Sequence, residues 1–404
     1  MPSTNDQASA AKALLTAGAV RERCEVVFAA AGRGETRHFR IDLGRLDAVA
    51  DRVASVTRRR YPDLAVPYHS RWRHFSVGGV DRARLVAARA DPAEQVRAQI
   101  DLVVVSVLLD AGAGAGWRFC EAQTGQVLSR SEGLAVASLR AMQQGLFSAD
   151  PVAGPWRADV EPLARLTPER LASAFQHAAG NPLFGLEGRA TLLSRLGEVC
   201  AGDRMHFGTP GRPGHLYDYW RSRGEVLPAG EILRTLLDVL GPIWPGRISL
   251  GGVPLGDCGR HETVPGDGLV PFHKLSQWLA YSLVEPLQAG GLRVDGLDAL
   301  TGLAEYRNGG LFLDCGVLIP RDPSLLLQPL EAASEPVVEW RALTVALLDR
   351  LAPRVRERLG KNAWDFPLAC VLEGGSWPAG REIAFERRRD GSAPLKIVTD
   401  GTLF

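Results

Sequence analysis

The sequence predicts a mainly α-helical protein with minor β structure in loops and in the C-terminal tail. Three observations carry that reading. Apolar residues recur at helical spacing in one segment after another. Those segments are separated by proline- and glycine-rich loops, at 205–216, 241–270 and 319–329. There is no long strand–helix alternation, no low-complexity block and no repeat with a period of about 20–50 residues.

The elements follow in order. Residues 1–20 are polar and alanine-rich, then weakly helical, and are expected to form a flexible N-terminus with its extreme end frayed. Asp42–Arg60 places Leu43, Leu46, Val49 and Val53 at helical spacing. Tyr68–Phe75 (YHSRWRHF) is aromatic and basic and reads as a partly exposed loop. Pro92–Leu109 is a helix with Asp91 as cap, Pro92 in first position and Glu94 in the first turn. Its apolar end stops at Asp110, before glycines at 112, 114 and 116. Ser131–Gly145, with Ser131 as cap, Thr167–Gly180, Gly185–Val199 and Glu231–Leu240 are further helices. Pro271–Pro286 is a strongly apolar helix, and Val337–Leu351 a long amphipathic one. Ile383–Phe404 alternates apolar residues and reads as short strands. From residue 21 to 404 the pattern fits one large helical catalytic domain, or two helical lobes with the site between them.

The 404 residues are 46% hydrophobic and 23% charged, which excludes disordered, collagenous and disulfide-scaffold classes. A net charge of +1 argues against nucleic-acid binding, which needs many uncompensated cations. Four lysines stand against 43 arginines, so a lysine inside an apolar segment is notable. Six cysteines are scattered without paired spacing, and no signal peptide is evident; reduced thiols and a cytoplasmic location are expected. No stretch reaches about 18 uncharged apolar residues, so no membrane span is expected. The sequence leaves the oligomeric state open.

Several clusters carry candidate chemistry. Asp110 ends an apolar helix beside a close-approach glycine turn and Trp117. The AGAGAGW run follows a helix instead of a strand, so it is not a dinucleotide fingerprint. NPLFGLEGR brings Glu187 and Arg189 after a turn, where Glu187 favours a helix N-terminus. In helix 271–286, His273, Gln277 and Tyr281 share one stripe and Lys274 lies on the next; polar groups on so apolar a helix are costly unless they face a polar cavity. Segment 300–316 gathers Glu305, Tyr306, Arg307, Asn308 and Asp314. A glycosidic C–N bond breaks through an oxocarbenium-like sugar, which a carboxylate stabilises while a second group protonates the leaving nitrogen. Glu339, Trp340 and Arg341 open an amphipathic helix that could reach the same pocket. Glu373–Glu382 (EGGSWPAGRE) and Asp400–Phe404 read as loops over a site or as a structural cap. Cys258 and His261 lack a second ligand pair, so neither a metal nor a cofactor is expected.

LLDAGAGAGW, SEGLAVASL, NPLFGLEGR, VPFHKLSQWLAYSLVEP, LAEYRNGGLF, VEWRALTVALLD, EGGSWPAGREIA and the terminal DGTLF together resemble the uracil-catabolism protein 4 family, from about residue 20 to the end. The resemblance implies action at or near release of urea from ribosylurea or its phosphate. A more distant similarity is to the queuosine-salvage N-glycosylase family, whose fold resembles helical DNA glycosylases. Its L-D-A-L-N-F-x-F-W segment resembles Leu109–Trp117, and its E-x-R segment Glu187–Arg189. Its Y-K-R-A-Q segment resembles His273–Gln277, and its A-D-Y-R segment Ala304–Arg307 with Glu305 replacing aspartate.

The sequence therefore predicts an N-glycoside hydrolase of a ribosylurea-type small molecule. Glu305 is the candidate catalytic carboxylate, with Asp314 as the fallback. Asp110 would bind urea or a ribose hydroxyl; Lys274 with Arg307 or Arg341 would take a phosphate; Gln277, Tyr281 and Trp117 would line the pocket. The alternatives are a non-catalytic sensor of a uracil-derived nucleotide and a metal-dependent amidohydrolase.

Overall fold

A computed structural model describes residues 4–87, 91–114, 116–244 and 248–398. As expected from the sequence, it is mainly helical, and its strands are two or three residues long. The chain divides into two compact units. The first comprises Met1–His69, Gly246–Gln277 and Gly296–Val398, the second Ser70–Pro245 and Trp278–Asp295. Among the described residues no helix is long and apolar enough to cross a membrane.

The first unit is built on helix Glu335–Leu359, longer at both ends than the amphipathic pattern implied. Helices Ala17–Gly32 and Leu46–Arg60 lie against it. Its buried positions include Leu343, Leu347, Leu348 and Leu351, each contributing about 1.5–3 kcal/mol by leaving water. Helix Leu46–Arg60 is preceded by a short turn in which the Asp42 carboxylate accepts from the Gly44 N–H at 3.1 Å. Strand Phe39–Ile41 pairs antiparallel with Leu318–Pro320, and Cys258–Arg260 antiparallel with Leu269–Pro271. Residues 4–14 form helix Thr4–Leu14, and its Ala11 and Leu14 pack in a buried cluster with Leu255, Cys258 and Leu269.

Two expectations fail in this unit for physical reasons. Glu373–Glu382 is not a loop. Helix Leu368–Val371 runs through a π-helical turn, Leu372–Ser376, into helix Trp377–Arg387. The glycines there serve close packing: a Cβ on Gly375 would lie 2.5 Å from Val53 Cγ1, and one on Gly380 would meet the Arg307 carbonyl at 2.2 Å. Pro378 sits in the first turn of its helix, where its missing N–H costs nothing. The tail is likewise helical to Arg387, and only Lys396–Val398 is a strand, parallel to Pro329–Glu331. The terminal Asp400–Phe404 motif lies outside the described residues.

In the second unit, helix Pro92–Leu108 is capped by Asp91, which accepts from the Ala93 N–H at 3.0 Å. Asp101, within its apolar stretch, is fully buried and paired with Arg212 at 2.6 Å. Helices Arg130–Gln143, Leu186–Gly202 and Ala229–Leu240 follow. The Thr167–Gly180 pattern yields only Pro168–Ala174, with Thr167 as cap. Tyr68–Phe75 is not a simple loop: Trp72–Phe75 is a helical turn with Trp72 and Phe75 buried. The β pairs here are Phe119–Glu121 with Gln126–Leu128, antiparallel, and Val226–Pro228 with Arg293–Asp295, parallel.

Candidate functional site

The strongest concentration of buried polar chemistry in the first unit surrounds Glu305. Leu303–Glu305 forms a tight turn in which the Glu305 N–H donates to the Leu303 carbonyl at 2.9 Å, and helix Tyr306–Asp314 begins directly after it. Glu305 is the N-cap, its carboxylate accepting from the N–H groups of Arg307 at 2.8 Å and Asn308 at 2.6 Å. The residue is 5% exposed. Burial, the largest influence, pushes its carboxyl above the usual glutamate range; the two amide donors and the charges of Lys274 and His69 oppose that without cancelling it.

Helix Lys274–Ala289 starts three residues later than its apolar run implied, because Leu269–Pro271 is a strand and His273 has a positive φ of 49°. His273 is thereby removed from the stripe it was expected to share with Gln277, and its Nε2 donates to the Leu14 carbonyl at 2.9 Å. Burial lowers the His273 pKa. Asp257 receives the Lys274 N–H at 3.0 Å and both terminal nitrogens of Arg341 at 2.7 Å. Burial alone would raise the Asp257 pKa, but Arg341 more than compensates and it is lowered. The Arg341 Nε approaches the Ala304 carbonyl at 3.4 Å, next to Glu305. Gln277 Nε2 donates to the Thr301 hydroxyl, and the Thr301 N–H donates to Gln277 Oε1 at 2.8 Å. Asn308 accepts from the Ser376 hydroxyl at 2.9 Å. Three residues further back on the π turn, Glu373 holds His69 Nδ1 at 2.8 Å.

Other predicted residues of this unit lie apart from these groups. Asp314 sits at the opposite end of its helix from Glu305, about 13 Å along the axis at ~1.5 Å per residue. Its carboxylate is held by Arg388 at 2.7 and 2.6 Å. Tyr306 is 39% exposed. Arg307 donates to the Gly391 carbonyl at 2.9 Å, and its Nε is buried without a partner among the described residues. Trp340 is buried with its indole edge against Gly309. Glu339 accepts from the Phe39 N–H at 2.7 Å and faces His261 Nε2 at 3.2 Å. His261 Nδ1 lies 2.7 Å from the Thr263 hydroxyl, so both ring nitrogens have partners. Among the described residues no group of three or more metal-ligating side chains occurs.

Asp110, Trp117, Glu187, Arg189 and Tyr281 belong to the second unit. Asp110 accepts from Arg71 at 2.5 Å and from the Ser131 hydroxyl at 2.5 and 2.6 Å. Ser131 is therefore not a helix cap; the helix starts at Arg130, with Ser129 before it. Arg71 is wholly buried, and burial lowers its pKa against the pull of Asp110. Its Nε donates to Ser106 at 2.7 Å, and Ser138 donates to the same hydroxyl at 2.6 Å. Arg189 binds the Leu109, Ala111 and Gly112 carbonyls, stapling the turn after helix Pro92–Leu108; burial brings its pKa down to about 10. Trp117 is buried and donates to the Phe175 carbonyl at 2.9 Å. Glu187 is exposed in the first turn of its helix, and Tyr281 is buried.

Sequence reasoning missed Asp257, His69, Thr301, Ser376 and Glu373 as site residues. Asp257 lay in the DCGRHE loop considered for metal, His69 in the basic aromatic segment, and Glu373 and Ser376 in the supposed C-terminal loop. Nothing in local spacing joins them, since His69 and Glu373 are 304 positions apart.

Fold and site thus define a mainly helical protein whose first unit carries a buried carboxylate, Glu305, acted on electrostatically by a half-buried lysine and a buried imidazole. Residues 13–404 match the family described as protein of unknown function (DUF1688), and the chain belongs to that family. Protein urg3 of Schizosaccharomyces pombe is 39% identical over 410 residues, spanning 97% of this chain and 98% of its own. Uracil catabolism protein 4 of Lachancea kluyveri is 38% identical over 428 residues, spanning 95% and 97%. The resemblance to the uracil-catabolism protein 4 family read from the motifs therefore holds.

Proposed function

We propose that this protein acts in uracil catabolism, the process in a relative's name, as an N-glycoside hydrolase releasing urea from ribosylurea or its 5′-phosphate. The observation that carries the reading is Glu305: an enclosed carboxylate with raised pKa, tied to backbone amides instead of an arginine, on which Lys274 and His69 act electrostatically. Ionised, it stabilises positive charge developing at the anomeric carbon and directs water to it. With Glu305 this buried, that stabilisation is strong, and the amide donors fix the carboxylate's direction. Lys274 supplies a cation for a phosphate; Arg341 is committed to Asp257 and orients the segment that carries Glu305. Gln277, Thr301 and Asn308 supply neutral hydrogen-bonding groups suited to ribose hydroxyls and urea.

The test is incubation of the purified protein with ribosylurea and with its 5′-phosphate, followed by a urea assay. Glu305→Gln is expected to reduce turnover about 10²–10³-fold, as loss of one preorganised electrostatic contact does. Normal turnover by that variant would falsify the assignment. A second reading, a non-catalytic sensor, draws on one observation: both Glu305 oxygens already accept N–H groups, as a purely structural cap would. It predicts saturable binding of the same compounds without urea release.

A further inference from the structure

We propose that His69, oriented by Glu373, is the acid that delivers a proton to the departing urea nitrogen; this rests on the glycosidase reading above. The chemistry requires such a group. A urea nitrogen leaving with the electron pair of the C1′–N bond is a strongly basic anion, and stabilising the sugar cation on the other side of the bond does not remove that cost. Around Glu305 the candidates are few. Arg341 is committed to Asp257, an ammonium group is in general a poor proton donor at neutral pH, and Gln277, Thr301 and Asn308 have no dissociable proton at working pH. An imidazolium donates near neutrality.

The structure holds His69 as such an acid is held. Its N–H donates to the Ala369 carbonyl at 3.0 Å, fixing the backbone at the end of the 61–69 segment. The ring is buried, with Nδ1 at 2.8 Å from Glu373 Oε2 and the Trp377 ring 6.0 Å away. The carboxylate places hydrogen on Nδ1, stabilises the imidazolium and makes Nε2 the nitrogen that exchanges protons. Glu373 owes its direction to the π-helical turn Leu372–Ser376. Such turns insert one residue and re-aim the side chains around it. This one is seated firmly, since Gly374 and Gly375 lie against Thr57 and Val53. Arg60 at 3.6 Å and Tyr61 at 3.4 Å also face Glu373, and His69 in turn acts on Glu305.

The step balances without a further reactant. The C1′–N bond breaks, its electron pair goes to nitrogen, and the His69 Nε2 proton makes neutral urea. Water bonds to C1′, its proton passes to the Glu305 carboxylate and then to solvent, and His69 reloads from solvent. Ribosylurea and water become ribose and urea.

The experiment compares wild type, His69→Gln and Glu373→Gln on ribosylurea and on 4-nitrophenyl β-D-ribofuranoside, whose phenolate departs without a proton. Thermal melts establish that each variant is folded. His69→Gln should lose about 10²–10³-fold in kcat for urea release and less than about 10-fold for nitrophenolate release. Glu373→Gln keeps a hydrogen-bond acceptor and should show a smaller loss with the same selectivity, which keeps the proposal testable if His69→Gln does not fold. As a second readout, urea release by wild type should fall on the alkaline side of its pH profile, and His69→Gln should lose that limb. The groups facing the imidazole and its partner are Glu373, Arg60, Tyr61, Glu305 and, beyond it, Lys274. If wild type does not cleave the nitrophenyl riboside, that limb decides. Equal losses on both substrates, or an unchanged limb, overturn the role of His69 while leaving the glycosidase reading intact. Wild type releasing no urea at all overturns both.

Discussion

Each unit buries a glutamate, and the two are held in opposite ways. In the second unit Glu121 ends strand Phe119–Glu121 and receives Arg82 through Nε at 2.9 Å, Arg140 through Nε at 2.7 Å, and the Thr124 hydroxyl at 2.6 Å. Burial pushes its pKa up, but these donors outweigh burial and bring it down to about 2. In the first unit Glu305 receives two backbone N–H groups, and burial wins, leaving its pKa above the usual value. A carboxylate closed by two guanidiniums is a rivet. One held by amides keeps a charge that its surroundings tune, which is what proton-transfer or charge-stabilising chemistry needs. Asp101 with Arg212 and Asp110 with Arg71 resemble the rivet in having an arginine on the carboxylate.

The contrast breaks or sharpens under substitution. Glu121→Ala strands two buried arginines and should cost about 3–5 kcal/mol of stability, read by denaturant unfolding. Glu305→Ala removes a helix cap and should cost only about 0.5–2 kcal/mol in the same measurement. A comparable cost for both would erase the distinction. The neighbourhood of Glu305 is more vulnerable through packing: Gly375→Ala drives a methyl into Val53 and Thr57 and should cost about 1–3 kcal/mol.

The pH dependences should also have opposite signs. Glu121 has a folded pKa below its unfolded value, so its contribution is present above about pH 4.5 and is lost as pH falls toward 2. Glu305 has a folded pKa above its unfolded value, so its contribution favours folding in acid and is lost as pH rises through the folded pKa. Acid unfolding should therefore be less steep in Glu121→Gln than in wild type, and steeper in Glu305→Gln. The smallest effect belongs to Glu187, exposed on its helix: Glu187→Ala should change stability by less than about 0.5 kcal/mol.

Much of the fold was legible because helix caps and apolar periodicity are local. Asp91 caps its helix as read, Gly145 adopts the positive φ of 75° that ends one, and Asp42–Arg60 is a short turn leading into a helix. Glu305, Lys274, Gln277 and Asn308 could be picked out because polar groups amid apolar runs carry a cost that must be met somewhere. What was illegible is non-local. Two adjacent glycines before a tryptophan and a proline look like a turn, unless one knows that helix Leu46–Arg60 lies against them. The start of helix Lys274–Ala289 was misplaced because strand pairing with Cys258–Arg260 claims Pro271, and Asp257 supplies the acceptor for Lys274. Asp314 looked equivalent to Glu305 in sequence, but a nine-residue helix separates their ends.

The contact between His69 and Glu373 also bears on how this protein is made. A ribosome adds about 5–20 residues per second, so the 304 residues between them take roughly a quarter of a minute to a minute to synthesise. For most of that interval the N-terminal part of the first unit has been made while helix Glu335–Leu359, against which it packs, has not. Its apolar faces must wait in the open, and a chaperone that shelters the nascent chain should raise the yield of native protein more than one that acts after release.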